Sequence, residues 1–283
     1  YGWFRYRIEA QDLQQLQWGT ANAKNITLSF WVKSNKTGVY CVMMEKKDST
    51  SYYIPIEYTI SQADTWQQKT ITITPTAGST SLITAAAGAI DNDVGAGLEI
   101  GFGLKWGSDF HGTNNTWTTS AVYSTSNQVN WMDSTSNNFY MTGVQLELGS
   151  NATPFEHRKW ADELRNCHRY CVIYGNGTNG CGEWIHTGAS NSSSSMYANY
   201  LLPVPPRATP TVSFSGEMRI SDNYVADHTA NPPSVSTQPY AASPHSNGGR
   251  VYMAGFGGAL TQGRNYGSGR ESGTGQTKFE MEL

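Results

Sequence analysis

The 283-residue sequence predicts an antiparallel β-sandwich, then one short helix, then a second and smaller β-rich region. Three observations predict this. Several short segments alternate apolar and polar residues with a period of two. Turns rich in Gly, Ser, Asn and Asp separate these segments, with no helical pattern between them. The chain carries 29 Gly, 16 Tyr and 9 Trp, yet only 14% of its residues are charged, against about 25% in an ordinary soluble domain. That mixture favours strands and turns over helical bundles and excludes coiled coils, collagen and charged disordered tails. With 38% hydrophobic residues the chain can build a sizeable core, and its length suggests two domains.

The elements follow in order. Ile26, Leu28, Phe30 and Val32 alternate with Thr27, Ser29, Trp31 and Lys33, the pattern of a half-buried strand. Tyr52, Ile54, Ile56, Tyr58 and Ile60 repeat it, and Pro55, which cannot donate to a ladder, places that strand at an edge or a bulge. Ile71 and Ile73 mark a strand over 69–74. Leu98, Ile100, Phe102, Leu104 and Trp106 form the clearest stripe. Tyr140, Thr142, Val144, Leu146 and Leu148 end the series before Gly149 and Ser150. No repeat is visible, which argues against propellers and solenoids. A jelly roll suits this region better than a barrel.

Residues 154–174 read as one helix of about three turns. Glu156, Asp162 and Glu163 come early and Arg165 and Arg169 late, matching the helix dipole. Trp160, Leu164, Cys167 or His168, and Cys171 fall at helical spacing, and Gly175-Asn176-Gly177 closes the element. Strand patterns return around Leu201, Val212, Phe214 and Ile220, and a Pro/Ser/Asn-rich stretch from Asp222 to Arg250 reads as a long ordered loop or a pair of loops. The final Phe279, Met281 and Leu283 alternate as a strand, and an apolar terminus of that kind needs a partner to bury it. The expected domains are therefore 1–158 (jelly roll), 159–180 (helix and turn) and 181–283 (β-rich tip).

The net charge of −3 and pI near 6.1 offer no basic field for nucleic acid or anionic lipid. No apolar run reaches the ~18 residues of a membrane helix. Neither nucleic acid binding nor membrane insertion is expected. Cys41, Cys167, Cys171 and Cys181 are too few and too unevenly spaced for a disulfide scaffold, so reduced thiols in a cytoplasmically folded protein are expected. Asn-x-Ser/Thr triplets occur at Asn25, Asn114, Asn151, Asn176 and Asn191, as chance allows in so Asn/Thr-rich a chain. The chain opens on Tyr1 without a secretory pattern, which suggests a missing upstream part.

Four stretches carry a resemblance: "LSFWVKSNKTGVYCV", "ADTWQQKTITI", "FYMTGVQLELGSNATPFEHRKWADELRNCHRY" and "LLPVPPRATPTVSFSG". They resemble a recurrent family of bacteriophage tail-fibre and virion fibre proteins, with "TGVQLELGS…TPFEHR" the most specific part. The resemblance implies a carbohydrate-binding-module-like jelly roll, a short helix and a C-terminal β tip. It also implies a homotrimer on the virion surface, made in the bacterial host cytoplasm and attached to other virion proteins through a missing N-terminal part. It transfers no catalytic site. Between Asp222 and Gly275 no family pattern is visible, as expected of a fast-diverging receptor-facing tip.

Catalytic signatures are absent: there is no nucleophile elbow, no His-Glu-x-x-His pair and no phosphate loop. His111, His157, His168, His186, His228 and His245 are scattered. Glycoside hydrolysis would need two facing carboxylates, and Glu217, Asp222, Asp227, Glu271, Asp91 and Asp93 cannot be paired by spacing. Solvated loop acids are the simpler reading. Cys167, Cys171, Cys181 and His186 make a nominal zinc set, but zinc knuckles open on a tighter pair on a turn, and buried thiols packing as small hydrophobes explain the pattern more simply. Asp91-Asn92-Asp93 suits either a structural calcium or an Asx turn. No cofactor is otherwise expected.

Aromatics are the strongest binding signal. Trp31 and Trp66 read as structural packing, Trp31 lying opposite the Phe30 face and Trp66 preceding a strand. Trp106, Phe110, His111, Trp117, Tyr123 and Trp131 cluster among Gly, Ser, Thr and Asn. Such rings stack on sugar C–H faces while polar neighbours bond hydroxyls. Packing between subunits explains the cluster equally. In the tip, Tyr224, Tyr240, Arg250, Tyr252, Arg264 and Tyr266, with Arg270, lie on Gly-rich segments, the composition of binding loops. Trp160, Leu164, Cys171, Phe279, Met281 and Leu283 are the candidate trimer contacts, because a monomer would expose them. The leading functional reading is a non-enzymatic phage receptor-binding protein recognising host surface polysaccharide. A capsid or tail decoration without receptor binding is the alternative. A depolymerase tailspike is the third reading, disfavoured because it calls for stacked repeats.

Overall fold

The structure, a computed structural model, describes residues 1–174, 184–215, 218–221, 227–230, 234–238, 248–256, 260–270 and 276–281. Among them it is mainly β, with antiparallel sheets and one short α-helix. Two compact units divide the chain, Tyr1–His157 and Arg158–Glu282. No helix among the described residues is long and apolar enough to cross a membrane.

The first unit is a sandwich of seven strands, where a jelly roll has eight. One sheet is ordered β1 (Gly2–Glu9), β6 (Ala96–Lys105), β3 (Gly38–Lys46), β4 (Tyr52–Ile60). The other is ordered β5 (Gln67–Ile73), β2 (Ile26–Ser34), β7 (Phe139–Leu148). The alternation read from the sequence fixes which side chains meet between them. Ile26, Leu28, Phe30 and Val32 of β2 share one core with Val42 and Met44 of β3, Ile54 and Tyr58 of β4, and Ile100 and Phe102 of β6. Phe30 lies edge-on to Phe102 and Tyr58, both at centroid distances of 5.1 Å, a preferred aromatic geometry. Pro55 sits in β4, an edge strand, where its missing donor costs no ladder bond. A 3-10 helix at Ala10–Leu16 seals one end with Ala10, Leu13 and Leu16.

The phenol oxygen of Tyr58 is buried without a hydrogen-bond partner among the described residues. Burial, reinforced by Tyr40 and Cys41, pushes its pKa well above 10.0. A folded pKa above the unfolded value contributes stability below pH ~10 and loses it as pH rises further. Tyr58→Phe removes the orphaned hydroxyl and should raise stability by about 1 kcal/mol. It should also blunt alkaline unfolding, which chemical denaturation at neutral pH and near pH 10 would measure.

The second unit begins with α1 (Trp160–His168), shorter than the predicted helix. The reason is local. Cys171-Val172-Ile173-Tyr174 is rich in β-branched and aromatic residues and forms β8 (Cys171–Tyr174), with Val172 buried and Ile173 exposed. β8 pairs with β17 (Gln276–Glu280), which also pairs with β11 (Thr211–Ser215). The helix therefore belongs to the second unit and is no separate connector. A seven-stranded sheet accompanies this trio and includes β9 (Trp184–Ser190), β10 (Ser195–Leu201) and β15 (Gly248–Ala254). The predicted loop region from 222 to 250 contributes strands at Asp227–Ala230 and Ser234–Gln238. Phe279 and Met281 are buried in this unit's own core, Phe279 between Tyr174 and Tyr200. The apolar C-terminal strand thus needs no partner chain, since β8 and β11 cover it. That corrects Phe279 and Met281 as trimer contacts. Leu283 lies outside the described residues.

Candidate functional site

The same alternation that buries Phe30 turns Trp31 outward. On the outer face of the β5-β2-β7 sheet, Trp31 stands opposite Gln68 of β5 and Thr142 of β7. One step along, Lys33 stands opposite Tyr140. Val32 pairs with Gln67, so the next residue outward from β5 is Trp66. Trp31 is 40% exposed, Trp66 42%, Phe155 43% and Tyr140 50%. The Lys33 ammonium lies 4.8 Å from the Tyr140 ring centre and 5.4 Å from that of Trp66, and the two rings are 6.5 Å apart. These cation–π contacts tether the cation between two rings without neutralising it. Thr70 and Thr142 supply exposed hydroxyls on the same face. Aromatic faces beside hydroxyl and amide groups match the chemistry of a saccharide.

A backbone device shapes this face. β7 bulges opposite Phe30, with Gly143 at φ +59°. A side chain at that position would be strained by the backbone, and its Cβ would lie 3.3 Å from Trp31 and 3.8 Å from Phe155. Beyond β7 the chain folds back over the sheet. The Thr153 amide donates to Glu147 at 3.0 Å and its hydroxyl to the same carboxylate at 2.5 Å. The Glu156 backbone amide donates to the Gln145 side-chain Oε1 at 2.8 Å, while the Gln145 side-chain Nε2 donates to the Thr153 hydroxyl. This latch gives the stretch "TGVQLELGS…TPFEHR" a physical meaning. Gly143 makes the bulge, Gln145 and Glu147 point outward, and together they hold Thr153 to Glu156, which seats Phe155 beside the aromatic face.

Hydrogen bonds from Thr153, first of all its side chain, hold the Glu147 carboxyl below its ordinary pKa. A depressed folded pKa stabilises above the ordinary carboxylate range and loses that contribution as pH falls through the lowered value. Glu147→Gln should therefore loosen the latch at neutral pH as acid does in the wild type. Faster tryptic cleavage at Arg158 and Lys159 would report it.

The residues predicted from sequence are placed differently. Trp117 is 1% exposed, edge-on to Trp18 at 5.6 Å, and its indole donates to the Thr74 carbonyl at 2.9 Å. It is a core residue and offers no stacking face. Trp106 is also buried, covered by Tyr1 at 5.1 Å and Tyr123 at 4.6 Å. Trp131 is half-buried and donates to the Asn138 carbonyl at 3.0 Å. Only part of the expected cluster comes together: Trp106, Phe110 and Tyr123 pack with Tyr1 and Trp3 over Gly101 and Gly103, whereas Trp117 packs against Trp18 and Trp131 bonds Asn138.

In the second unit, Arg250 and Tyr252 do come together. Tyr252 pairs with Tyr197 across β10 and β15, ring centres 5.3 Å apart, and the Arg250 guanidinium lies 5.0 Å from the Tyr197 ring. Tyr266 is buried and its hydroxyl accepts the Thr261 amide at 3.0 Å, so it is structural. Arg264 is exposed. Tyr224 and Tyr240 lie outside the described residues, as do Glu217, Asp222, Glu271 and Cys181. Trp160 is 78% exposed and Leu164 is also exposed on α1, whereas Cys171 is half-buried in β8. Asp93 accepts the Gly95 amide at 2.7 Å, which is an Asx turn. Among the described residues no group of three His, Cys, Asp or Glu is placed to hold a metal ion.

Reasoning from sequence assigned Trp31 and Trp66 to structural packing, whereas both are partly exposed, and it passed over Tyr140 and Phe155 as binding residues. The signal for Trp31 was present in the phase of β2. A residue opposite the Phe30 face must point to solvent unless something covers the sheet; the chain after β7 covers Thr27, whose hydroxyl donates to the Gly149 carbonyl, and leaves Trp31 partly exposed. Compared with known proteins, the chain matches no protein-family model and no curated protein sequence.

Proposed function

We propose that the chain is a bacteriophage virion fibre protein that binds a glycan of the host cell surface without catalysing a reaction. One observation carries the reading: Trp31, Trp66, Tyr140 and Phe155 form an exposed aromatic face on a rigid sheet, beside Thr and Gln side chains. Exposed rings of this number on one face mark a binding surface. The resemblance of the chain's motifs to virion fibre proteins supplies the setting, in which the sandwich serves as a carbohydrate-binding-module-like jelly roll. Arg250 and Tyr252 with Tyr197 are a second, smaller candidate contact in the tip.

The purified chain should bind host cells and compete with phage adsorption. Failure to bind any host envelope polysaccharide would sink the reading. The fibre is a homotrimer in this reading, held through Trp160 and Leu164 of α1, which no described residue buries. Mass photometry should show one species of three times 31.0 kDa. A stable monomer would remove the trimer and leave glycan binding to be judged separately.

The exposed Trp160 also favours a second reading, a decoration protein whose aromatic surfaces only join virion subunits. Labelled virions separate the two, since recognition calls for a tail-tip location and decoration for the capsid surface.

A further inference from the structure

The outer face of the β5-β2-β7 sheet carries a cation that its own fold leaves unneutralised. Lys33 contacts two rings, and among the described residues no carboxylate lies within 4.0 Å of its ammonium. Asp64, whose amide donates to the Ser34 carbonyl at 2.9 Å, lies at the Lys33 end of the sheet but forms no ion pair with Lys33, and the acid on the outer face of the paired strands is Glu147, which pairs with Thr27 at the far end of the strand. Six residues separate Thr27 from Lys33, about 20 Å along a strand, well beyond the ~8 Å Debye length at physiological salt. Glu147 is moreover occupied by Thr153.

The geometry points to a carboxylate-bearing sugar, a uronic-acid type of residue within a surface polysaccharide, as the occupant of this face. Its carboxylate takes the Lys33 ammonium in a charge-assisted hydrogen bond. Its C–H face, or that of a neighbouring sugar, packs on Trp31, two residues and about 7 Å along the same strand. Gln68 and Thr142, which flank Trp31, bond the ring hydroxyls. One ammonium matches one carboxylate, and the rings on either side hold it in place before the ligand arrives, so less ordering is lost on binding.

This assignment rests on the glycan-binding reading and narrows it to an acidic ligand at a named face. The test is calorimetric titration of the full chain with a uronate-containing host oligosaccharide and with the same oligosaccharide after reduction of its carboxyl to an alcohol. The wild type should bind the acidic form about tenfold or more tightly than the reduced one, the effect of one charge-assisted bond. Lys33→Met should weaken the acidic form far more than the reduced one, so that the preference is lost, and Lys33→Arg should retain it. Trp31→Ala should weaken both forms by about thirtyfold, as loss of an aromatic anchor does.

Equal binding of both forms by the wild type overturns the acidic assignment but leaves glycan binding intact. Binding undisturbed by Trp31→Ala overturns the face. Binding of neither form overturns both readings together. A change of oligomeric mass in Trp31→Ala also overturns the inference, because the face would then be covered by a second copy of the chain.

Discussion

Replacing Trp117 by alanine is expected to destabilise the first unit by about 3–5 kcal/mol, the range for a fully buried Trp or Phe reduced to Ala. The indole fills the core beside Trp18 and its nitrogen satisfies the Thr74 carbonyl. The substitution therefore leaves both a cavity and an unpaired acceptor. Urea denaturation should show the midpoint falling with the slope nearly unchanged. The protein that remains folded should bind glycan as the wild type does. Trp31→Ala is expected to do the reverse, sparing stability and losing binding. The same residue type thus has opposite consequences, decided by the face of the sandwich on which each ring lies.

Lys46 gives the second large effect. It ends β3 fully buried, and its ammonium donates to the carbonyls of Asp48 at 2.6 Å, Thr50 at 3.1 Å and Ala87 at 3.1 Å. The Tyr52 ring lies 5.6 Å away. Burial lowers its pKa, while Asp48 and Asp91 act in the opposite direction. The ammonium thus gathers loop carbonyls much as a bound metal ion would, in the acidic region that includes Asp91 and Asp93. Lys46→Met keeps the stem and removes the donors, leaving three carbonyls to be satisfied by other means. A loss of about 3 kcal/mol is expected, from two or three partly compensated acceptors. Differential scanning calorimetry would measure it, and a variant melting within a degree or two of the wild type would show that water replaces the ammonium.

Much of the fold was legible because a half-buried strand writes its own face into the sequence. The periods at 26–33, 52–60 and 98–106 each became a strand with the predicted inward residues, whereas the one at 140–148 became a strand whose phase changes at the Gly143 bulge, so that Tyr140 and Thr142 face outward and Leu146 and Leu148 lie opposite Leu28 and Ile26. β3 was less visible. Tyr40 to Lys46 are buried on both sides, because the loops after β6 cover the outer face, and a continuous apolar run has no period to read. β1 hid for a different reason. It alternates Trp3, Arg5 and Arg7 with Phe4, Tyr6 and Ile8, so amphipathic side chains occupy both faces.

The helix was overextended because spacing at Trp160, Leu164 and Cys171 is local information, whereas β17 pairs with Cys171–Tyr174 from more than a hundred residues away. Long-range pairing also buried Phe279 and Met281. The site was misplaced by a compositional argument. Trp106 and Trp117 stand among Gly, Ser and Thr, which suggests exposed loops, yet those loops fold inward and the rings become core. The phase of β2 places Trp31 outward, against the packing role expected of it, while neighbourhood composition pointed to rings that are core.

Recognition by the outer face is most directly tested through the nine tryptophan indoles themselves. Indole N–H signals of the isotope-labelled chain, assigned by single Trp→Phe replacements, should be followed during titration with host surface oligosaccharide. Trp31 and Trp66 should shift with saturation, while Trp18 and Trp117, shielded in the core, stay fixed. Shifts confined to tryptophans outside the β5-β2-β7 face, or none at saturating sugar, would contradict recognition at this face.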